Sequence, residues 1–221
     1  YLCDQLKQRA LISESTRGDE LCYALVHDRI RNVLMRQQSE STRRILHLRV
    51  AQYLETKHAG QIPTSLYDRL IYHYTAGGDR FKVFQYHVLS LDAFTGLCYE
   101  LLPTLNTDSG VTVPNEEGLL EYFQSLETEL EVLRRSGADS RELDRLELYL
   151  LHAKSRYCIH NGYYDEGLET LERMISRCEA VGNRDMLVKA HIQIVYYGIQ
   201  TYATDAMEVH LGIVGQLLEG R

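Results

Sequence analysis

Alternation of apolar and polar residues is confined to one short stretch near the start of this 221-residue chain; everywhere else the apolar positions keep helical spacing. Leu2, Cys3 and Leu6 are helically spaced. The runs Leu11-Ile12-Ser13-Glu14-Ser15 and Glu20-Leu21-Cys22-Tyr23-Ala24-Leu25-Val26 then flank a polar Thr16-Arg17-Gly18-Asp19 tip, which predicts a β-hairpin. Arg17-Gly18-Asp19 is also an adhesion tripeptide, but Gly and Asp are ordinary turn residues. Asp28 is placed to cap a helix carrying Ile30, Val33 and Leu34 at i, i+3, i+4. Ser39 to Thr42 break that pattern and supply a new N-cap. The next helix puts Ile45, Leu46, Val50, Tyr53 and Leu54 on one predicted face and closes in Lys57-His58-Ala59-Gly60.

Beyond the linker Ile62-Pro63-Thr64-Ser65, Leu66, Leu70, Ile71 and Tyr74 mark a helix ending at Gly77-Gly78-Asp79, and Phe81, Phe84, Val88, Leu91 and Leu97 mark its partner. Residues 103–114, between Pro103 and Pro114, read as a loop. Helices follow at about 115–135, 140–160, 164–180, 184–201 and 204–218, broken at Ser136-Gly137, Asn161-Gly162, Val181-Gly182-Asn183 and Ala203-Thr204. Long helices with short turns predict antiparallel pairs. The division is 1–60, a helix and hairpin with the pattern of a winged-helix end; 61–102, a helical arm; and 115–221, a helical repeat region.

A weak repeat supports that last unit. Gly167 and Ala206, 39 residues apart, are small residues following acidic ones near the start of a second helix. The tetratricopeptide (TPR) pattern wants a small residue there, where the helices of a pair come closest, and another midway along the first helix, where Ala153 or Ser155 and Ala190 stand. The expected fold is therefore mainly α, an α-α superhelix of TPR-like antiparallel helix pairs with a small winged-helix-like β-hairpin near the N-terminus.

The net charge of -7 is unevenly spread: residues 1–60 hold 10 Lys/Arg against 7 Asp/Glu, and residues 115–182 hold 8 against 15. Neither part has the basic balance of an autonomous nucleic-acid binder. Arg29, Arg31, Arg36, Arg43, Arg44 and Arg49 are the one basic concentration, and Asp28, Glu40 and Glu55 dilute it, so the expectation is packing against another domain rather than direct nucleic-acid contact. Five cysteines, odd in number and without metal-ligand spacing, read as small buried side chains in a reducing compartment. No apolar run reaches the ~18 residues needed to span a bilayer. The expected location is cytoplasmic, without membrane partners. The chain starts at Tyr1 rather than Met, and the expectation is a piece of a longer protein.

Catalytic chemistry finds little support. Gly77-Gly78 lacks a following Gly-Lys-Ser/Thr, so no phosphate loop is present, and no nucleophile elbow appears. The pairs His73 with His87 and His152 with His160 miss the i, i+4 spacing of a helical metal site, which favours structural histidines. The interleaved charges of 127–147 read as solvated helix faces. Sixteen tyrosines accompany no tryptophan. Tyr163, Tyr164, Tyr196 and Tyr197 sit near predicted helix ends, either as packing residues or as a tyrosine-lined groove for a peptide or effector.

One segment has a recognisable pattern: Tyr23-Ala24-Leu25-Val26-His27-Asp28-Arg29-Ile30-Arg31, then Arg43-Arg44-Ile45-Leu46-His47-Leu48-Arg49-Val50-Ala51-Gln52-Tyr53-Leu54-Glu55. It resembles the region just after the ATPase core of STAND-class signalling ATPases, which include transcription activators of the maltose-regulon type and predicted ATPases fused to kinases or nucleotide cyclases. His27, Asp28, Arg44, His47, Ala51, Leu54 and Glu55 match, Leu25 replaces the usual aromatic, and Leu70-Ile71-Tyr72-His73 with Gly78-Asp79 fits the continuation. The resemblance covers about residues 20–100 and implies a winged-helix-like domain, a helical arm and a TPR-like sensor. It implies ATP or ADP as the cofactor of a parent protein, with none in this fragment. It makes His27 the position that can face the nucleotide of an upstream ATPase domain, against the simpler role of capping the next helix.

The expected function is a non-catalytic regulatory fragment of a STAND-type ATPase, whose helices bind a protein, peptide or small-molecule inducer. The alternatives are a stand-alone TPR-like adaptor and, further off, a metal-dependent enzyme built on paired helices.

Overall fold

The computed structural model describes residues 2–17, 20–58, 60–99 and 118–219. The loop read over 103–114 and the Gly18-Asp19 tip lie outside them. Among the described residues the chain forms α1 (Leu2–Gln8), β1 (Ile12–Arg17), β2 (Glu20–Leu25), α2 (Asp28–Gln37), α3 (Glu40–Lys57), a 3-10 turn (Thr64–Leu66), α4 (Tyr67–Gly77), α5 (Arg80–Cys98), α6 (Leu119–Arg135), α7 (Ser140–His160), α8 (Tyr164–Val181), α9 (Arg184–Thr201) and α10 (Thr204–Glu219). The fold is mainly helical with one antiparallel two-stranded sheet, in which Ile12 lies opposite Leu25 and Arg17 opposite Glu20.

Local chemistry explains the boundaries. Ser39 caps α3 by accepting from the Thr42 amide at 3.2 Å, as the sequence predicts. Asp79 caps α5, Asp139 caps α7 and Asn183 caps α9 in the same way. Gly78 and Gly182 take the left-handed conformation that ends α4 and α8. Asp28 does not cap α2: it is the first helical residue and pairs with Arg31 at 3.2 Å, while His27 occupies the cap position.

Successive long helices turn back on each other. At the turn between α7 and α8, Gly167 meets Ile159 and Cys158, and at the far end Arg177 Nε reaches Glu147 at 2.7 Å, so the two run antiparallel. The pair α9/α10 behaves alike, with Gly198 against Met207 near the turn and Arg184 near Gln216 at the other end. Alternate helices run parallel: α5 lies along α7, with Gln85 near Glu142 and Asp92 near Arg156. In the α9/α10 pair a close approach is made at Gly198, on the helix opposite Ala206.

The core has three parts. Ala51, Leu54, Leu70, Tyr74 and Tyr86 join α3, α4 and α5. Phe84, Leu91, Phe123, Leu143 and Leu146 join α5, α6 and α7. Leu148, Leu171, Met174, Met186 and Ala190 join α7, α8 and α9. The core thus runs through α3 at the predicted division at residue 60, and across the 103–114 segment. α7 lies at the centre, buried continuously from Leu150 to Ile159. Its buried charged side chains are tolerated because each faces an opposite charge: Lys154 faces Glu127 and Glu166, Arg156 faces Asp92, and Glu147 faces Arg134 and Arg177.

A Cβ on Gly167 would sit 2.7 Å from Ile159 Cδ1 and 3.3 Å from Cys158 Cβ. Gly167→Ala is therefore expected to lower stability by about 1–2 kcal/mol through overpacking. An unchanged or raised melting temperature would refute the close approach.

Candidate functional site

Segment 1–50 holds no buried residue among those described. The hairpin packs on α1 and α2, tied by the Lys7–Glu14 ion pair and a backbone bond from the Val26 amide to the Leu11 carbonyl at 3.1 Å. Leu21, Tyr23 and Leu25 occupy alternate positions of β2 and so share one face, and all three are exposed. Val26, Val33 and Leu34 continue the exposed apolar surface onto α2.

The helix α3 corrects a sequence expectation. Leu54 is buried, but Ile45, Leu46, Val50 and Tyr53 are not; Tyr53 is 62% exposed and Ile45 51%. At about 100° per residue those four lie on one side of the helix, opposite the side that carries Leu48, Ala51 and Leu54. The inner side meets α4 and α5, and among the described residues the outer side is left exposed. Apolar residues on both faces of a helix cannot be assigned to one core by spacing alone. Ten large apolar side chains between Leu21 and Tyr53 are thus in contact with solvent, which exceeds what scattered surface residues require. Arg29, Arg31, Arg36, Arg43, Arg44 and Arg49 are exposed around them, with Arg44 held by Glu40 at 2.7 Å.

His27 stands at the edge of this surface. Its backbone is extended (φ -134, ψ 133), its side chain makes no cap hydrogen bond, and it is exposed. Only its carbonyl engages α2, accepting from the Ile30 amide at 3.0 Å.

The residues that carry the family pattern separate into two sets. His47, Ala51, Leu54 and Glu55 are structural. His47 Nδ1 lies 3.0 Å from His73 Nδ1 across α3 and α4, and Glu55 accepts from Lys82 Nζ at 2.9 Å and from the Tyr86 hydroxyl. Burial pushes the Glu55 carboxyl up, but these donors outweigh it and hold it below the usual carboxylate range. His27, Asp28 and Arg44 instead face outward.

The four tyrosines divide between two packing clusters. Tyr164 packs edge-on against Tyr197, centroids 5.4 Å apart, and with Tyr196 both rest on the α7–α9 core; Tyr163 stacks on Tyr157 of the α5–α7 core. The histidine pairs are also other than the sequence suggests. His191 and His210 face each other at 2.8 Å between α9 and α10, His87 contacts the Tyr122 hydroxyl, and His160 stacks on Tyr99. No cluster of three or more His, Cys, Asp or Glu residues suited to a metal occurs among the described residues. Cys158 and Cys178 are buried, their thiols pushed up to about 12 and about 11 by burial, whereas Cys3 and Cys98 are exposed, contrary to the reading of all five as buried. Among the described residues no helix is long and apolar enough to cross a membrane.

Sequence spacing gave no sign of the buried Asp92–His152–Arg156 cluster, because its members come from helices some 60 residues apart. The chain matches no protein-family model, no curated protein and no solved structure.

Proposed function

We propose that this chain is a non-catalytic regulatory segment of a STAND-type signalling ATPase. In this reading the hairpin, α2 and the outer side of α3 dock on a nucleotide-binding domain, and the TPR-like helices from α6 onward receive a partner or effector. The observation that carries the reading is the outward apolar surface of β2, α2 and α3, edged by arginines and by an uncapped His27. A surface of that composition is stable in water only at a cost that a docked domain removes. Coupling follows if the docked domain contacts this surface differently in its ATP and ADP states, since an effector shifts an equilibrium only through different contacts in the two states.

Ile45→Ser, Val50→Ser and Tyr53→Ser together are expected to leave the melting temperature nearly unchanged, because all three side chains are already exposed, and to abolish co-purification with the protein region encoded upstream. His27→Ala is expected to weaken the nucleotide dependence of that association while preserving the association itself. A reading frame with no Walker-type phosphate loop upstream would overturn the proposal.

A further inference from the structure

We propose that the outer face of the α9/α10 pair seats one further helix of the array, an amphipathic helix that follows Arg221 in the full-length protein. This seat is far along the chain from the hairpin surface and does not depend on what docks there.

The pair α7/α8 shows how the array adds a helix. Leu148 and Leu151 of α7, with Leu171, Met174 and Cys178 of α8, form a seam that receives Met186, Ala190 and Ile194 of α9, residues four apart along one side of that helix. Leu148, Leu171 and Cys178 are at most 1% exposed there. The next pair carries the same seam. With the helices aligned at their first residues, Ser140 on Arg184 and Tyr164 on Thr204, Leu148 falls on Ile192, Leu171 on Leu211 and Cys178 on Leu218. The residues are again large and apolar, yet Ile192 is 44% exposed, Leu211 53% and Leu218 45%. Leu151 and Met174 fall on Val195 and Val214, which are buried. Ile199, two turns beyond Ile192 and so on the same side of α9, is exposed as well. The α9/α10 seam is therefore built like the one before it and stands open among the described residues.

The filled seam identifies the occupant. α9 enters it directly after α8, through a turn closed by Gly182 in the left-handed conformation. The helix that fills the open seam in the same way lies parallel to α9 and carries apolar residues at i, i+4 and i+8. A terminal unit of a stacked helical array needs a polar outer face to be stable in water. α10 has the opposite character: Val214 is its one buried residue, while Val209, Leu211 and Leu218 are exposed. A second copy offers only the same seam, and two seams do not interlock as a seam and a helix ridge do.

The test compares the 221-residue chain with the same chain extended by the next residues of its reading frame, about 45 of them, the length of one helix pair. Ile192→Ser with Leu211→Ser is introduced into both, and Val209→Ser, on the side of α10 away from Leu211, is the control. The extension is expected to raise the helical circular dichroism. The double variant is expected to lower the urea midpoint of the extended protein by about 1 M or more, as the loss of two buried apolar side chains requires. In the shorter chain it shifts the midpoint by less than about a quarter of that, because both side chains are already about half exposed, and Val209→Ser shifts neither protein. A reading frame that ends before a helix of about 12 residues can be completed overturns the proposal. So does an extension that adds no helix, or an extended protein in which the double variant shifts the midpoint no more than in the shorter chain. A double variant that instead dissolves a dimer of the extended protein on size-exclusion chromatography assigns the face to a second copy and also overturns it.

Discussion

Asp92→Ala is expected to destabilise the protein by about 3–4 kcal/mol, measured as the shift of a urea transition at pH 7. Asp92 on α5 accepts from Arg156 of α7 at its carboxylate and also at its backbone carbonyl, the latter at 3.2 Å. The Arg156 side chain is only 3% exposed. Removing the carboxylate leaves a guanidinium in a site that water barely reaches, beside His152 and close enough to Lys189 for that cation to be felt. Burial pushes the Asp92 carboxyl up, yet His152 and Arg156 hold it below the ordinary carboxylate value. The cost is that of a buried guanidinium deprived of the Asp92 carboxylate, so replacing both partners with apolar residues is expected to recover most of it. Asp92→Leu with Arg156→Met therefore tests the cause: a double variant as unstable as Asp92→Ala would mean that lost packing, not lost charge balance, is responsible. Gly96 belongs to the same arrangement, since a Cβ there would lie 2.7 Å from Arg156 Nη1.

Acidification from pH 7 to pH 4 is expected to cost a further several kcal/mol, beginning well above the range in which carboxylates titrate. Burial, seconded by Arg156, pushes the His152 imidazole down to about 4, and Asp92, 3.6 Å away, pulls it up without overcoming this. A folded-state pKa below the unfolded value of about 6.5 means that the unfolded chain binds the extra proton first. The stability from neutral His152 is therefore complete above about pH 6.5 and is lost as pH falls towards 4, by about 3 kcal/mol in all at 1.36 kcal/mol per unit. His73, His191 and His210 are also lowered, first by burial, and act in the same direction. In the facing pair His191–His210 one imidazole donates to the other, and protonating both breaks the bond and sets two cations together between α9 and α10. His152→Leu is expected to flatten the pH dependence of the urea midpoint between pH 6.5 and 4. A wild-type midpoint constant over that interval would contradict the assignment.

These predictions differ in how far the sequence announced them. The Gly167 contact was foreseeable, because a small residue after an acidic pair at a helix start is a local signal. The Asp92–Arg156 pair was not, because α5 and α7 are separated by a whole helix and become neighbours only when alternate helices align in parallel. The same holds for the acidic run of α6 and α7: as a run its carboxylates look like solvated helix faces, and only the side-by-side arrangement of α6, α7 and α8 shows which are engaged and which stand exposed. On α3 the error ran the other way. Ile45, Leu46, Val50, Tyr53 and Leu54 were grouped because apolar residues usually share a core, whereas the helix has two apolar sides and the internal core covers one.

The sequence by itself determined the helices, most of the breaks between them and the hairpin. Periodicity and caps such as Ser39, Asp79, Asp139 and Asn183 act over one or two turns, so their effect is local and can be read locally. It also determined that no phosphate loop lies in this chain. Tertiary structure alone decided which apolar faces are satisfied internally and which remain exposed, and which buried charges have partners. Both depend on contacts between residues far apart in the chain, and a pattern of residue types along one helix does not specify what lies against each of its sides.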